Sequence, residues 1–523
     1  MNYGFIFLRR IADLILMNIF FIRKNKFKFI DKIKEQKKNG YVLIELNLSH
    51  ILVSTFYVIV SQILSKKFKI IFFYYSKYDY LFKNKLFYFL AFNYFIFLKK
   101  KSNAKIINLF VKPTKKEIED GKKCFKSLKN LNHLINLKYK NIDVGKYIFQ
   151  SYSRELLEAK VNIKDLRLEK FIIEAFTYVN NLNLNFKNIK IKKLFISHSI
   201  FIRYGILCKF LSKIQKSKIY IHQPGDRLGN FFKNIDFIRL DPKHLVQMES
   251  YWKYKSEFNK LKNKKKLLQL SYKELNLRIN RSKINKHIMK GGINPYGKKK
   301  IVKLKDNKKD KIIILGSEYF DSSFYYRNSL YADSYTYTEK LLEIAKKTPF
   351  DWYFKPHPDL RPESEILINK LKVNYPFLNI LPRHISNISF KINNFKSMFS
   401  YEGTALHEFI FMGIPSYCVG DNKQSAYSFG KPSKNFQHFK KTILNANKSK
   451  KFNIQDVYEF NYMYTFQKSR DWISNYFLSK KERLHLENNY KGNFIKRHNS
   501  LKIFENLFKK KKLKLIKSIN SLT

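Results

Sequence analysis

Acidic residues are few in this chain: 40 Asp and Glu stand against 103 Lys and Arg in 523 residues, a formal net charge of +63. That imbalance excludes a neutral surface. It suits an anionic partner such as nucleic acid, an acidic membrane surface or a phosphorylated substrate. A coding bias towards Lys, Asn, Ile, Phe and Tyr is the plainer source of the same excess, and it leaves the surface just as positive. Cysteine is scarcer still. Cys124, Cys208 and Cys418 form no C-x-x-C pair, which speaks against a zinc site and reads as reduced core thiols of a cytosolic protein. Long hydrophobic runs are missing too. Ile11–Ile22 is interrupted by Asp13 and Asn18, and Leu86–Leu98 ends at Lys99-Lys100-Lys101, so both fall short of a spanning helix. The N-terminus has no small-residue cleavage site, so no signal peptide is expected. Each apolar segment suits either a buried helix or a membrane interface where lysines meet anionic head groups. No internal repeat is present.

What is present is a globular composition, 45% hydrophobic and 17% aromatic. A chain of this length can build two domains with full cores. Short apolar runs alternate with helical stretches. Strands are predicted at Tyr41–Leu46, Phe68–Tyr74, Ala104–Val111, Ile191–Ser197 and Ser217–His222, with helices near 50–65 and 203–212. Residues 242–310 are rich in Lys and Asn and read as a linker. A second alternation follows. Its strands are Lys311–Leu315, Asp351–Lys355, Phe377–Leu381, Phe395–Ser400 and Pro415–Val419. Its helices are Thr336–Ala345, Glu363–Val373 and Thr404–Met412.

This rhythm predicts an α/β protein with two Rossmann-like, doubly wound domains and a cleft between them, the GT-B architecture. The expected divisions are an apolar and basic N-terminal segment over 1–40 that associates with membrane, a first domain over 41–241 and the linker over 242–310. A second α/β domain over 311–465 and basic helices over 466–523 complete the chain.

Two motifs fall where strands of the second domain end. In Lys355-Pro356-His357-Pro358-Asp359, two prolines stiffen the backbone around one imidazole. A rigid His beside a Lys suits a phosphate oxygen, with Asp359 and Arg361 placed to orient them. The same pattern is a plain Pro-rich turn with a surface His. In Ser400-Tyr401-Glu402-Gly403-Thr404 a strand turns into a helix. Gly403 permits close approach to the backbone, and Thr404 caps the helix or binds phosphate. Glu408 sits one turn on, where a carboxylate accepts the hydroxyls of a ribose. Gly413-Ile414-Pro415 closes the helix. Ordinary helix capping with a chance Glu is the alternative.

Residues 311–430 resemble the C-terminal domain of bacterial capsule polysaccharide biosynthesis glycosyltransferases, a group that includes Kdo and sialic-acid transferases. The resemblance implies donor-phosphate binding at His357 and Pro358 and at Thr404; Lys355, Gly403 and Glu408 join them as donor-binding candidates on the residue chemistry above. The family commonly has Ser where this chain has Gly403. Two stretches of the N-terminal half are similar to the family more loosely: Phe195-Ile196-Ser197-His198 with Arg203-Tyr204-Gly205, and Ile219–His222 with Asp226-Arg227.

Transfer to a sugar hydroxyl needs a proton acceptor. His198 is the first choice, with Glu45, His50 and Asp226 as alternatives; a structural hydrogen bond at a strand end is the plain reading of His198. Glu318 follows the first strand of the second domain and is placed to touch donor or acceptor, with Glu402 a further candidate. The chain has no Asp-x-Asp motif, so neither a metal nor another cofactor is expected beyond the nucleotide sugar as substrate.

The expected function is therefore transfer of a sugar, CMP-linked in the family named, to a glycan or lipid-linked acceptor. It would take place in the cytoplasm, peripherally on an anionic membrane surface. A polyol-phosphate transferase using a CDP-alcohol shares the frame. A non-enzymatic nucleic-acid-binding protein would need a basic stripe with interleaved aromatics, whereas these lysines spread along the whole chain. A family member that keeps the fold without activity is the remaining reading.

Overall fold

The structure is a computed structural model. It describes residues 39–46, 57, 60–61, 63–65, 67–75, 104–222, 237–248, 250–279, 295–296, 301–304, 308–320, 324, 326–358, 360–403, 405–448 and 451–466. The N-terminal segment up to residue 38, the apolar run 86–98 and the C-terminal stretch 467–523 lie outside the described residues.

Two sheets organise the chain. The first holds β1 (Tyr41–Glu45), β2 (Lys69–Tyr74), β3 (Lys105–Asn108), β6 (Ile191–Ile196), β7 (Lys218–His222) and β8 (Phe237–Arg239). They lie in the order β3-β2-β1-β6-β7-β8, parallel except for the antiparallel β7–β8 pair. A small hairpin, β4 (Lys138–Tyr139) and β5 (Ile142–Asp143), stands apart. The second sheet holds β9 (Lys311–Leu315), β10 (Asp351–Lys355), β11 (Asn379–Ile380), β12 (Ser397–Ser400) and β13 (Ser416–Cys418), in the order β11-β10-β9-β12-β13, all parallel. In each sheet the chain starts at the middle, winds to one edge, then returns to the other side of its first strand. The crevices where this reversal occurs lie between β1 and β6 and between β9 and β12. Open α/β sheets bind ligands at such points, beyond the carboxyl ends of the strands.

The first sheet is packed by α1 (Lys115–Lys126), α2 (Leu131–Ile135), α3 (Gly145–Leu156), α4 (Leu166–Phe186) and α5 (Leu207–Gln215). Thr114 starts α1 with a capping box: its hydroxyl accepts from the Glu117 N–H, and the Glu117 carboxylate accepts from the Thr114 N–H. Asp165 caps α4. Where α1 crosses α4, a Cβ on Gly121 would lie 2.4 Å from Ile173 Cγ1, so only glycine permits this approach.

The second sheet is buried on both faces, which explains the near-continuous apolar runs of its strands. Ile312, Ile314, Trp352 and Phe354 face one core, with α8 (Ser334–Ala345), α9 (Pro362–Asn374) and α12 (Phe436–Leu444). Ile313 and Tyr353 face the other, with α6 (Tyr254–Phe258), α7 (Lys264–Ile279), α10 (Ile388–Ile392), α11 (Ala405–Phe411) and α13 (Ile454–Thr465).

The stretch read from the sequence as a linker thus contributes to this second core. Val246, Met248, Tyr251, Tyr254, Phe258, Leu275, Ile279 and Tyr296 are buried in it. Its described lysines are exposed while these residues anchor it.

The two halves touch directly. Arg154 Nη1 on α3 donates to the Phe320 carbonyl at 3.1 Å, Phe149 meets Phe324 edge to face at 5.5 Å, and Lys160 pairs with Glu339. Among the described residues no helix is long and apolar enough to cross a membrane. Cys208 and Cys418 are buried, Cys124 is half-buried, and none is bridged.

Candidate functional site

The second sheet opens into a cavity of about 360 Å³ at its reversal point. Three strand ends build its floor. From β9 come Leu315, Gly316, Ser317 and Glu318. From β10 come Lys355, Pro356, His357 and Pro358. From β12 come Ser400, Tyr401, Glu402 and Gly403, with Ala405 and Glu408 of α11 behind them. The structure therefore brings both sequence motifs to one concave surface.

Lys355 is the last residue of β10 and only 5% exposed. Its ammonium donates to Asn387 Oδ1 and lies 5.9 Å from the Phe390 ring. Burial pushes its pKa down to about 8, with the Glu408 carboxylate acting the other way. Among the described residues no carboxylate lies within ion-pairing distance of it. This cation is thus held in a low-dielectric wall beside a neutral amide, and an anion in the cavity would meet it desolvated. His357 and Pro358 line the same wall.

Gly403 has φ +142°, a conformation that side-chain-bearing residues rarely adopt. Added Cβ atoms are not excluded by space there, since the nearest atom would be Ser400 Oγ at 3.9 Å. The glycine is needed for the turn itself. Thr404 lies outside the described residues, as does Asp359. The helix that follows, α11, has seven residues.

Glu408 reaches the cavity wall from α11, but both its oxygens are engaged by protein. Arg278 Nη1 donates to Oε1, and the Tyr296 hydroxyl donates to Oε2. Arg278 is itself held by Glu274 at 3.2 Å and by Asn461 Oδ1 at 3.1 Å. Burial pushes the Glu408 pKa up, against the Arg278 charge and the Tyr296 hydrogen bond. A carboxylate so occupied braces the wall from behind. This differs from the ribose contact expected from its place on the helix.

Glu318 also faces inwards, yet its carboxylate accepts from the Arg361 N–H at 3.1 Å and the Ser364 hydroxyl at 2.8 Å. It therefore caps α9 from the neighbouring loop. Glu402 lines the cavity, and its carbonyl accepts from the Ser400 hydroxyl at 2.7 Å.

His198 belongs to the other sheet, just beyond β6 at the β1–β6 reversal point. Glu45 ends β1 alongside it. Glu45 Oε2 accepts the Ser197 N–H at 2.5 Å, and Oε1 accepts the Ser197 hydroxyl at 3.0 Å. Ser197 Oγ lies 2.9 Å from His198 Nδ1. Burial, then the charges of Arg203 and Arg154, lower the His198 pKa to about 4, so the ring is neutral near pH 7. The chain leaves this point through Phe201 at φ +66° and a single π-helical turn, Phe201–Ile206. A bulky residue in that conformation is strained, and such turns often mark functional positions. Arg154 connects the halves, because its guanidinium also donates to the Phe320 carbonyl two residues beyond Glu318. Asp226 and His50 lie outside the described residues.

Sequence reasoning missed Asn387, Ser334 and Tyr326 in the cavity and Arg278, Tyr296 and Asn461 behind it. None belongs to a recognisable motif. Among the described residues no group of three or more His, Cys, Asp or Glu side chains is placed to hold a metal ion.

No protein-family model matches the chain, and no curated protein sequence does. Solved structures give distant likenesses. A beta Kdo 2,4 transferase, KpsC of Thermosulfurimonas dismutans, is 14% identical with a TM-score of 0.34, covering 52% of this chain and 79% of its own. The beta Kdo 2,7 transferase of the same organism's KpsC is 15% identical with a TM-score of 0.29, covering 59% and 84%. The UDP-GlcNAc 2-epimerase of Methanocaldococcus jannaschii is 12% identical with a TM-score of 0.19, covering 80% and 96%. Likenesses this weak carry no functional argument.

Proposed function

We propose that this chain is a GT-B-type glycosyltransferase that moves a sugar from a nucleotide-activated donor to a glycan or lipid-linked acceptor of a surface polysaccharide. The observation that carries the reading is the buried Lys355 ammonium in the cavity at the β9–β12 reversal point, which His357 and Gly403 also line. Negative charge grows on the departing phosphate as the glycosidic bond breaks. A preorganised cation in a water-poor wall stabilises that charge more than water does. The apolar lining, Leu315, Pro295 and Tyr326, suits a nucleoside. The acceptor would lie against the first sheet, where His198 takes the hydroxyl proton. The net charge of +63 would draw the protein to the anionic cytoplasmic face of a membrane.

The test is release of free nucleotide from CMP-, CDP-, UDP- and GDP-sugars, with a CDP-polyol included, by wild type and Lys355→Met. Turnover of one sugar donor, reduced about a hundredfold or more in the variant, supports the reading. Turnover of the CDP-polyol instead would replace it by polyol-phosphate transfer, and no turnover with any donor would count against both.

A further inference from the structure

We propose that Glu45 and Ser197 fix His198 in the Nδ1–H tautomer, so that its Nε2 lone pair is left as the base for the acceptor hydroxyl. The proposal rests on the glycosyltransferase reading for the acceptor, but its hydrogen-bond logic rests on the Glu45–Ser197–His198 contacts. Ser197 Oγ carries one proton and has two neighbours, Glu45 Oε1 at 3.0 Å and His198 Nδ1 at 2.9 Å. An ionised carboxylate only accepts. An ionised Glu45 accepts at both oxygens, at Oε2 from the Ser197 N–H at 2.5 Å and at Oε1 from the Ser197 hydroxyl at 3.0 Å, whereas a proton on Oε1 would reverse the chain and leave the ring proton on Nε2; the proposal takes the ionised form. The hydroxyl proton therefore goes to Glu45, and the Oγ lone pair left over must be met by a proton on Nδ1. The opposite arrangement would set a carboxylate oxygen against an oxygen lone pair in a buried site, where both Glu45 and Ser197 are under 8% exposed.

With Nδ1 committed, Nε2 is the acceptor. No described residue hydrogen-bonds it, and the ring is held by Tyr204, whose centroid lies 5.1 Å away. In the transfer step the Nε2 pair takes the hydroxyl proton. The acceptor oxygen bonds to the anomeric carbon, and the electron pair of the breaking C–O bond leaves on the donor phosphate. The imidazolium then formed shares its new charge through Ser197 with Glu45. His198 touches the reacting atoms in this account, whereas Ser197 and Glu45 are positioning residues. Neither belongs to the phosphate cavity of the second sheet.

The experiment is ¹⁵N NMR of histidine-labelled full chain, with His198 assigned by loss of its signals in His198→Asn. Wild type is expected to show a protonated Nδ1 and an unprotonated Nε2. Glu45→Gln keeps the shape but presents its amide NH₂ to Ser197 Oγ. The hydroxyl then donates to Nδ1, and the tautomer should invert. Ser197→Ala should relax towards Nε2–H, and Ser197→Thr should behave as wild type.

In the donor-turnover assay Glu45→Gln and Ser197→Ala should lose about a hundredfold or more in kcat with donor KM little changed, and Ser197→Thr should retain activity. A wild-type proton on Nε2, or an inverted tautomer with undiminished kcat, would overturn the proposal. The expected tautomers without turnover of any donor would overturn the base role and the transferase reading while leaving the hydrogen-bond chain supported.

Discussion

Raising the pH should release an anionic ligand from this protein before it harms the fold. Lys355 has a pKa of about 8 against its ordinary 10.5, because burial disfavours the ammonium. That gap corresponds to about 3 kcal/mol. Without ligand, the unfolded chain binds more protons than the folded one between pH 8 and 10.5. The cost of burying the charge is fully present below pH 8, and stability rises as pH climbs through that window. Ligand affinity moves the other way. A phosphate beside Lys355 holds the proton on and restores the ordinary pKa. By linkage, affinity for CMP at pH 9 should be about a tenth of that at pH 7. The nucleotide phosphate is already a dianion across this range, so it adds no slope of its own. Isothermal titration of whichever nucleotide binds, at pH 7, 8 and 9, reads the effect. Lys355→Met should bind weakly at pH 7 and equally weakly at pH 9. A wild-type affinity that stays flat, or a decline that persists in Lys355→Met, would refute the assignment of the phosphate to this ammonium.

The neutral His198 follows the same sign at lower pH: with its pKa lowered to about 4 from 6.5, the unfolded chain takes up the extra proton. Stability should fall by about 2 kcal/mol between pH 7.5 and 5. Urea unfolding should show that loss in wild type and not in His198→Asn; equal losses in both would refute it. Arg278→Met leaves the buried Glu408 with Tyr296 as its remaining described partner. Denaturant unfolding should report a loss of about 3 kcal/mol, largely recovered in Arg278→Met with Glu408→Leu, and a loss below about 1 kcal/mol would contradict the bracing role. Gly403→Ala meets open space but an unfavourable φ of +142°, so about 1–2 kcal/mol of strain is expected. Thermal melts should show a folded protein with reduced nucleotide binding, and unchanged binding would separate that turn from the ligand.

The strands of the second sheet were legible because both faces are buried. Lys311–Leu315 and Asp351–Lys355 are continuous apolar runs between turn residues, and each was read to its end. Short edge strands were overestimated: Phe377–Leu381 contains only Asn379–Ile380 as strand, since an edge needs fewer paired residues. The Lys-rich stretch from 242 reads as a linker by composition, yet it packs into the second core. Its anchors Tyr251, Tyr254 and Phe258 are spaced among lysines that dominate a compositional reading. At the site, the proline-bracketed His357 and the Gly403 turn were visible as local patterns. The partners of Glu408 and Ser197 were not. Arg278 lies 130 residues from Glu408, and Glu45 lies 152 residues from Ser197. Such pairs are set by sheet order and helix packing, which no local spacing encodes. Glu318 shows the converse. Its position after a strand suggested chemistry, and its hydrogen bonds are those of a helix cap.

The central claim is that the cavity floored by Lys355, His357 and Gly403 binds the phosphate of a nucleotide. The most direct measurement is the melting temperature of the full chain with CMP, CDP, UDP and GDP, for wild type and His357→Ala. A ligand that binds the folded state raises it with occupancy. The account predicts a rise with one of these nucleotides that is lost in His357→Ala. No rise with any of them, together with stabilisation by single-stranded nucleic acid, would contradict it.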